Sequence, residues 1–218
     1  MKKQTVSLPV KCLHCNEQMT TPILCEGCHA LYPVPQSADY FDLLSIPRSY
    51  RVDSGALARA YRSIARRIHP DRFSGDAEEA RNLSTRLTAE VNQAYATLGD
   101  PVKRAAYMLE LAGGPSAVEV RDVPGSLLGE VMMLREAIEQ ARQIADDVSL
   151  EKHRTAIGRR RDQAMKEIEQ RADNLRGASD EERKAFRMLL NSIKYFDNLL
   201  AELATDPLVV GKGTETGG

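Results

Sequence analysis

Ile64-Ala65-Arg66-Arg67-Ile68-His69-Pro70-Asp71-Arg72-Phe73 is the stretch that decides how this chain folds. Proline lacks the amide donor and disfavours helical geometry in the residue before it, so His69-Pro70-Asp71 cannot lie inside an α-helix. The stretch therefore predicts a strongly basic helix that stops at Ile68, a tripeptide loop, and a second helix starting a few residues later. An exposed tripeptide at the tip of a helical hairpin has little structural duty, which makes it a candidate functional site.

Upstream of the tripeptide, Leu57, Tyr61, Ile64 and Ile68 recur at helical spacing and define a buried face, with Asp53 or Ser54 as N-cap. Arg59, Arg62 and Arg66 fall on another stripe, with Arg67 alongside and no acidic residue among them. Like charges at i, i+3 and i+4 mildly destabilise a helix, by a few tenths of a kcal/mol per pair. A face needed only for solubility would mix its charges, so the stripe predicts an acidic partner, either a protein surface or a nucleic acid. Downstream, the period of Leu83, Leu87, Val91, Ala94 (or Tyr95) and Leu98 predicts a longer antiparallel helix over Ala77–Leu98. Gly99 reads as its C′ residue, and Asp100-Pro101 as the cap and first residue of a helix that runs to about Leu111 and ends at Gly113-Gly114. Before the hairpin, Asp39 caps a short helix, Tyr40–Leu44, that stops ahead of Pro47.

A second helical unit begins at Pro124-Gly125-Ser126, after a loop over 115–123. Three amphipathic segments follow, 127–146, 150–176 and 180–204, with Ser149 capping the second and Ser179 with Glu182 forming a capping box on the third. Their apolar stripes are Leu127, Val131, Leu134, Ile138 and Ala141; Leu150, Ile157, Ala164, Ile168 and Leu175; and Phe186, Leu190, Ile193, Phe196, Leu200 and Leu203. Short connections between such stripes predict an antiparallel three-helix bundle. Leu128, Met132 and Glu136 form a row well around the helix from the core stripe, Met133 extends it, and Met188 and Tyr195 lie off the stripe of the last helix. Adaptable Met with Leu and Tyr, edged by carboxylate, fits a protein-binding patch, and packing against the preceding domain is the alternative. The tail from Asp206 predicts disorder.

All four cysteines fall in the first 28 residues. Cys12-Leu-His-Cys15 and Cys25-Glu-Gly-Cys28 are paired C-x-x-C knuckles, each pointing two thiolates at one centre, and zinc accepts four sulfurs with no redox demand. Free thiols or two disulfides are the alternative, and iron is the other metal such a shell takes. The short spacer, residues 16–24, predicts a small hairpin rather than a full ribbon, with Gly27 permitting the tight turn. His14 and His29 adjoin the ligands and read as exposed neighbours. A segment this short has no core of its own, so a structural ion that lets it fold is expected. Pro33-Val-Pro35 then reads as a linker.

Composition narrows the function classes. The 218 residues carry 30 basic and 31 acidic side chains, so any electrostatic role rests on local patches. Aromatics are 5% with no Trp, which favours helical packing over a large sheet core. No apolar run approaches the ~20 residues that span a bilayer. The Met-Lys-Lys start is followed by no signal-length hydrophobic stretch, so a bacterial cytoplasm is expected ahead of a mitochondrial matrix. Enzyme signatures are missing: Val210-Gly-Lys-Gly-Thr214 lacks the first glycine of a phosphate-binding loop, and His69 with Asp71 has no water-excluding pocket in an open loop.

Asp39-Tyr-Phe-Asp-Leu-Leu, the basic helix, His69-Pro70-Asp71 and Asn92-Gln-Ala-Tyr-Ala-Thr-Leu-Gly-Asp-Pro101 together resemble a J-domain. With the tetracysteine segment before it and the bundle after it, the order resembles the HscB-type co-chaperones of iron–sulfur cluster biogenesis. The resemblance implies an all-α chain: a small zinc-binding hairpin module over 1–37, a J-domain hairpin over 38–114 and a three-helix bundle over 115–205, then the tail over 206–218. It implies that His69, Pro70 and Asp71, with Arg59, Arg62 and Arg66, dock on an HscA/DnaK-type chaperone ATPase and stimulate it. It implies that Leu128, Met132, Met133, Glu136 and Tyr195 meet an IscU-type scaffold protein, and that Cys12, Cys15, Cys25 and Cys28 hold one zinc ion. Gly129 stands where the family often has a bulky apolar residue, and Met133 and Gln140 where acidic residues are common. The chain is thus expected to be a regulator without catalysis of its own, a monomer or weak dimer, binding neither nucleic acid nor membrane. Two other readings stay open: a general J-protein delivering unfolded clients, and a nucleic-acid binder built on the cysteine module, the basic helix and Arg159-Arg160-Arg161.

Overall fold

The computed structural model describes residues 11–204; the tail expected to be disordered and Val210–Thr214 lie outside the described residues. The helices are α1 (Tyr40–Leu43), α2 (Ser54–Ile68), α3 (Glu78–Gly99), α4 (Pro101–Leu111), α5 (Gly125–Gln143), α6 (Asp147–Ala172) and α7 (Asp180–Ala204). No strand occurs among the described residues; three isolated bridges, Lys11 with Gln18, Thr21 with Leu24 and Leu24 with Leu31, pin the cysteine segment. The chain is all-α, as the periodicity predicts. It divides into two compact units at Arg104/Ala105, inside α4 and ten residues before the 114/115 boundary read from the sequence.

In the first unit α2 and α3 form the hairpin. Ser84 meets Ile68, while Tyr61 donates to Asn92 Oδ1 at 2.9 Å and stacks on Tyr95 at 4.2 Å, so the partners run in opposite directions along the two helices. Leu57, Ile64 and Ile68 are buried against Leu87, Val91, Ala94 and Leu98. Leu83, expected in this row, is only half-buried, and its neighbour Ser84 takes the core position. Gly99 is the last helical residue without left-handed backbone, so it is not the expected C′ glycine; Asp100 turns the chain and accepts the Val102 and Lys103 N–H groups to cap α4. Asp39 caps α1 through a capping box with Asp42, and Arg48 pairs with both carboxylates.

Three helices end in the same turn, with crossed bonds from the two residues past the cap. After α4 the left-handed residue is Gly113 (φ 78), the residue type such a turn favours. After α1 and α5 the position is held by Ser45 (φ 51) and Ala145 (φ 53). The Asp146 N–H bonds to Ala141 O at 2.8 Å and that of Ala145 to Arg142 O at 3.1 Å, which stops α5 at Gln143 rather than at 146. Asp146 then accepts the Ser149 N–H at 3.0 Å and starts α6 at Asp147, so the expected cap Ser149 is a donor inside the first turn.

In the second unit α5, α6 and α7 pack as the three-helix bundle. Ile157, Ile168, Phe186, Leu190 and Ile193 are at most 2% exposed. Leu199 is fully buried where Leu200 was expected, and Leu134, Leu150 and Leu200 are half-buried. Leu175 reaches the core from a short 3-10 turn, Leu175–Gly177, after α6 has ended. Ser179 and Glu182 exchange their capping-box bonds at 2.7 and 3.3 Å. Arg160 pairs with Glu130 and Arg161 with Asp197, tying α6 to α5 and to α7.

Candidate functional site

The tripeptide is shaped by the end of α2. His69 is the C-cap of that helix, and Pro70–Phe73 make one 3-10 turn with proline at its first position. The expected loop is therefore an ordered turn. A prolyl residue tolerates that position because its missing N–H would have no partner there. His69 Nδ1 accepts the Asp71 N–H at 3.3 Å and lies 3.5 Å from Asp71 Oδ2. The Arg72 N–H closes onto His69 O at 3.0 Å and the Ser74 hydroxyl onto Asp71 O at 3.0 Å. The side chains remain open to solvent, 54% for His69 and 90% for Asp71. So exposed a pair suits contact with another molecule rather than acid–base chemistry, which needs a water-excluding site.

Arg59, Arg62, Arg66 and Arg67 are all exposed on α2, and the helix contains no acidic residue. Arg66 Nε bonds back to Arg62 O at 3.2 Å, while Asp53 keeps to the helix N-terminus. The backbone N–H groups of Ala56 and Gly55 hold the Asp53 carboxyl below its ordinary range. The helix itself thus contributes only positive charge, with Asp53 beside Arg59 at its start and Asp71 just past its end.

In the bundle, Leu128, Met132 and Met133 are 50%, 71% and 66% exposed, Glu136 is exposed, and Tyr195 and Met188 are half-buried. The α5 row is an apolar face that the bundle core does not use. In the basic run of α6, Arg160 and Arg161 form surface ion pairs with Glu130 and Asp197, while Arg159 is exposed.

The four cysteines come together: their Sγ atoms all lie within 4.8 Å of one another, with Cys12–Cys28 and Cys15–Cys25 at 3.5 Å. A tetrahedral zinc with Zn–S bonds of about 2.3 Å sets S···S edges of about 3.8 Å, so the shell fits one ion. The two knuckles are built alike. Cys12 and Cys25 donate N–H to Glu17 O and Ala30 O at 2.8 and 3.0 Å, and Asn16 and His29 donate back to Cys12 O and Cys25 O at 2.9 and 3.1 Å. Asn16 (φ 60) and His29 (φ 61) carry the left-handed turns, and Gly27 does not. A Cβ at Gly27 would meet only the carboxyl end of the exposed Glu17 side chain, which can swing aside. Tyr32, a residue the spacing did not single out, places its hydroxyl 3.1 Å from Cys12 Sγ. Burial opposes the Cys12 thiolate, but bonds from Tyr32 and from the Cys15 and His14 N–H groups outweigh it and bring the thiol down to about 5. Cys15 moves the other way, pushed up to about 12 although the Glu17 N–H opposes it, with bonds to the Cys25, Cys12 and Cys28 thiols and burial raising it, and Cys28 is raised as well.

Two family models match the chain: the DnaJ domain over residues 39–107 and the HSCB C-terminal oligomerisation domain over residues 123–204. The co-chaperone protein HscB homolog of Shewanella baltica is 34% identical over 153 residues, 67% of this chain and 88% of that protein. The chain belongs to the HscB co-chaperone family. The HscB homolog of Shewanella oneidensis is 40% identical over 109 residues, a match spanning 63% of that protein's length. The Arabidopsis thaliana relative, described as an iron–sulfur cluster co-chaperone, is 31% identical over 146 residues, 67% of this chain and 56% of that protein. Among solved structures, HscB from Vibrio cholerae superposes with a TM-score of 0.64 at 26% identity, covering 77% of this chain and 96% of that one. Human HscB shares the fold at a TM-score of 0.70 and 23% identity, covering 89% and 97%. The tripeptide and the basic helix lie in the DnaJ-domain match, and the Leu128/Met132 face in the HscB C-terminal match. The cysteines precede both. Among the described residues no helix is long and apolar enough to cross a membrane.

Proposed function

We propose that this chain is a J-protein co-chaperone of iron–sulfur cluster biogenesis that binds an IscU-type scaffold and stimulates the ATPase of an HscA/DnaK-type chaperone. The observation that carries this reading is the exposed His69-Pro70-Asp71 turn, held at the end of a helix whose charges are all positive. Arg59, Arg62 and Arg66 steer that turn onto an acidic surface of the ATPase, and the tripeptide biases the partner toward hydrolysis. Leu128, Met132, Met133, Glu136 and Tyr195 form the scaffold face, and Cys12, Cys15, Cys25 and Cys28 hold one structural zinc. The chain has no catalytic role in this scheme; the reaction belongs to its partner. The functional domains are the metal module to residue 37, the J-domain over 38–114 and the bundle over 115–205. The protein acts in a bacterial cytoplasm, in keeping with its Shewanella relatives and with thiols kept reduced for metal. It works as a monomer or weak dimer and binds neither nucleic acid nor membrane.

The test is steady-state ATP hydrolysis by an HscA-type chaperone with and without this chain and an IscU-type scaffold. Stimulation by the chain that rises further with scaffold supports the reading. A second reading, delivery of unfolded clients in general, is favoured by the same exposed Leu and Met side chains. Equal pull-down of a reduced, unfolded model protein and of the scaffold would favour it.

A further inference from the structure

The orientation of the tripeptide depends on very few torsions. Pro70 has its φ locked by the ring and restricts His69 to extended backbone, and His69 indeed sits at φ −57, ψ 133. The remaining freedom lies mainly in the peptide plane between Ile68 and His69. Its carbonyl is one of those a helix leaves without an internal partner at its C-terminus. Ile68 is 0% exposed, so water does not reach it. The group that does reach it is the hydroxyl of Ser84, a fully buried residue of α3, at 2.5 Å.

We propose that Ser84 is a positioning residue for the tripeptide: its hydroxyl clamps the Ile68–His69 peptide plane and so sets the direction in which His69 and Asp71 are presented. The functional part of this inference rests on the tripeptide being the contact with the chaperone ATPase. A serine in the core row of an amphipathic helix is otherwise costly, since an apolar side chain would pack there without a polar group to satisfy. The neighbouring hydroxyls do other work: Thr85 bonds to Arg81 O and Thr88 to Ser84 O, each within its own helix. Ser84 alone of the three reaches across the hairpin. Without its hydroxyl the carbonyl must rotate toward solvent, and His69 turns with it.

The experiment pairs Ser84→Ala with amide hydrogen exchange and the ATPase assay. Exchange at Arg72, whose N–H closes the turn onto His69 O, should rise about tenfold while the amides from Leu87 to Leu98 keep their protection. The chain concentration giving half-maximal ATPase stimulation should rise about tenfold. Unchanged exchange at Arg72 overturns the clamp. General loss of protection along α3 also overturns it, because the serine would then be a packing residue only. Faster exchange at Arg72 with stimulation still at the wild-type level overturns the functional part. If the wild-type chain fails to stimulate the ATPase, the chaperone-contact reading fails instead, and the exchange data still decide whether Ser84 holds the turn.

Discussion

Truncating the exposed face of α5 separates binding from folding. Fully burying a Leu or Met side chain stabilises by about 2 kcal/mol, and only the part still exposed in the free protein can be gained on binding. Leu128 and Met132 are 50% and 71% exposed. Complete burial under a scaffold would then contribute together about 2.4 kcal/mol, so Leu128→Ala with Met132→Ala should weaken scaffold affinity roughly 60-fold. The parts already buried bound the folding cost at about 1.5 kcal/mol. Ile138→Ala on the same helix, at 2% exposure, should instead cost about 2–5 kcal/mol of stability. Isothermal titration calorimetry with an IscU-type scaffold gives the first quantity and denaturant unfolding the second. A double variant that binds as the wild type does would remove this face from the interface. One that loses several kcal/mol of stability would show these side chains are packed rather than presented.

Two further outcomes bear on the metal module and on the helix caps. Purified chain should carry one zinc per molecule by elemental analysis, and Cys25→Ser should lose it together with the order of residues 12–32; two metals per chain, or full retention in that variant, contradicts a single tetrathiolate ion. Acid should loosen the helix starts: Asp53 is held low by the Ala56 and Gly55 N–H groups, Asp146 by the Ser149 side chain and N–H, and Glu182 by the Ser179 N–H. A depressed carboxyl contributes stability above its unfolded value, about 4, and that contribution is lost as pH falls through the lower folded value. The melting temperature should be flat from pH 7 to 5 and fall below about pH 4. A fall already complete at pH 5 would contradict it.

The core was legible because apolar residues at a period near 3.6 report one face of a helix, and most positions of the stripes on α2, α3, α5, α6 and α7 are buried in the structure. Ser84 for Leu83 and Leu199 for Leu200 are single-position changes: the helix turns by 100° per residue, so the pattern cannot separate neighbours near the edge of a face. Helix ends were less legible. A glycine signal finds the turn after α4 at Gly113, but the same turn after α1 and α5 is made by Ser45 and Ala145, which no composition rule marks. The knuckles show the same limit, since their left-handed residues are Asn16 and His29 rather than Gly27. The cysteine spacing and the proline-stopped basic helix were readable because covalent and steric rules act within a few residues. Tyr32 beside Cys12 and Ser84 beneath Ile68 were not, because those contacts join residues far apart in the chain.

Whether the tripeptide controls a chaperone is read from the steady-state ATPase rate of an HscA-type chaperone with scaffold present, measured with the wild-type chain and with His69→Gln. The wild type should stimulate and the variant should not, while both bind scaffold equally, because His69 belongs to the first compact unit and the α5 face to the second. Undiminished stimulation by His69→Gln would contradict that control.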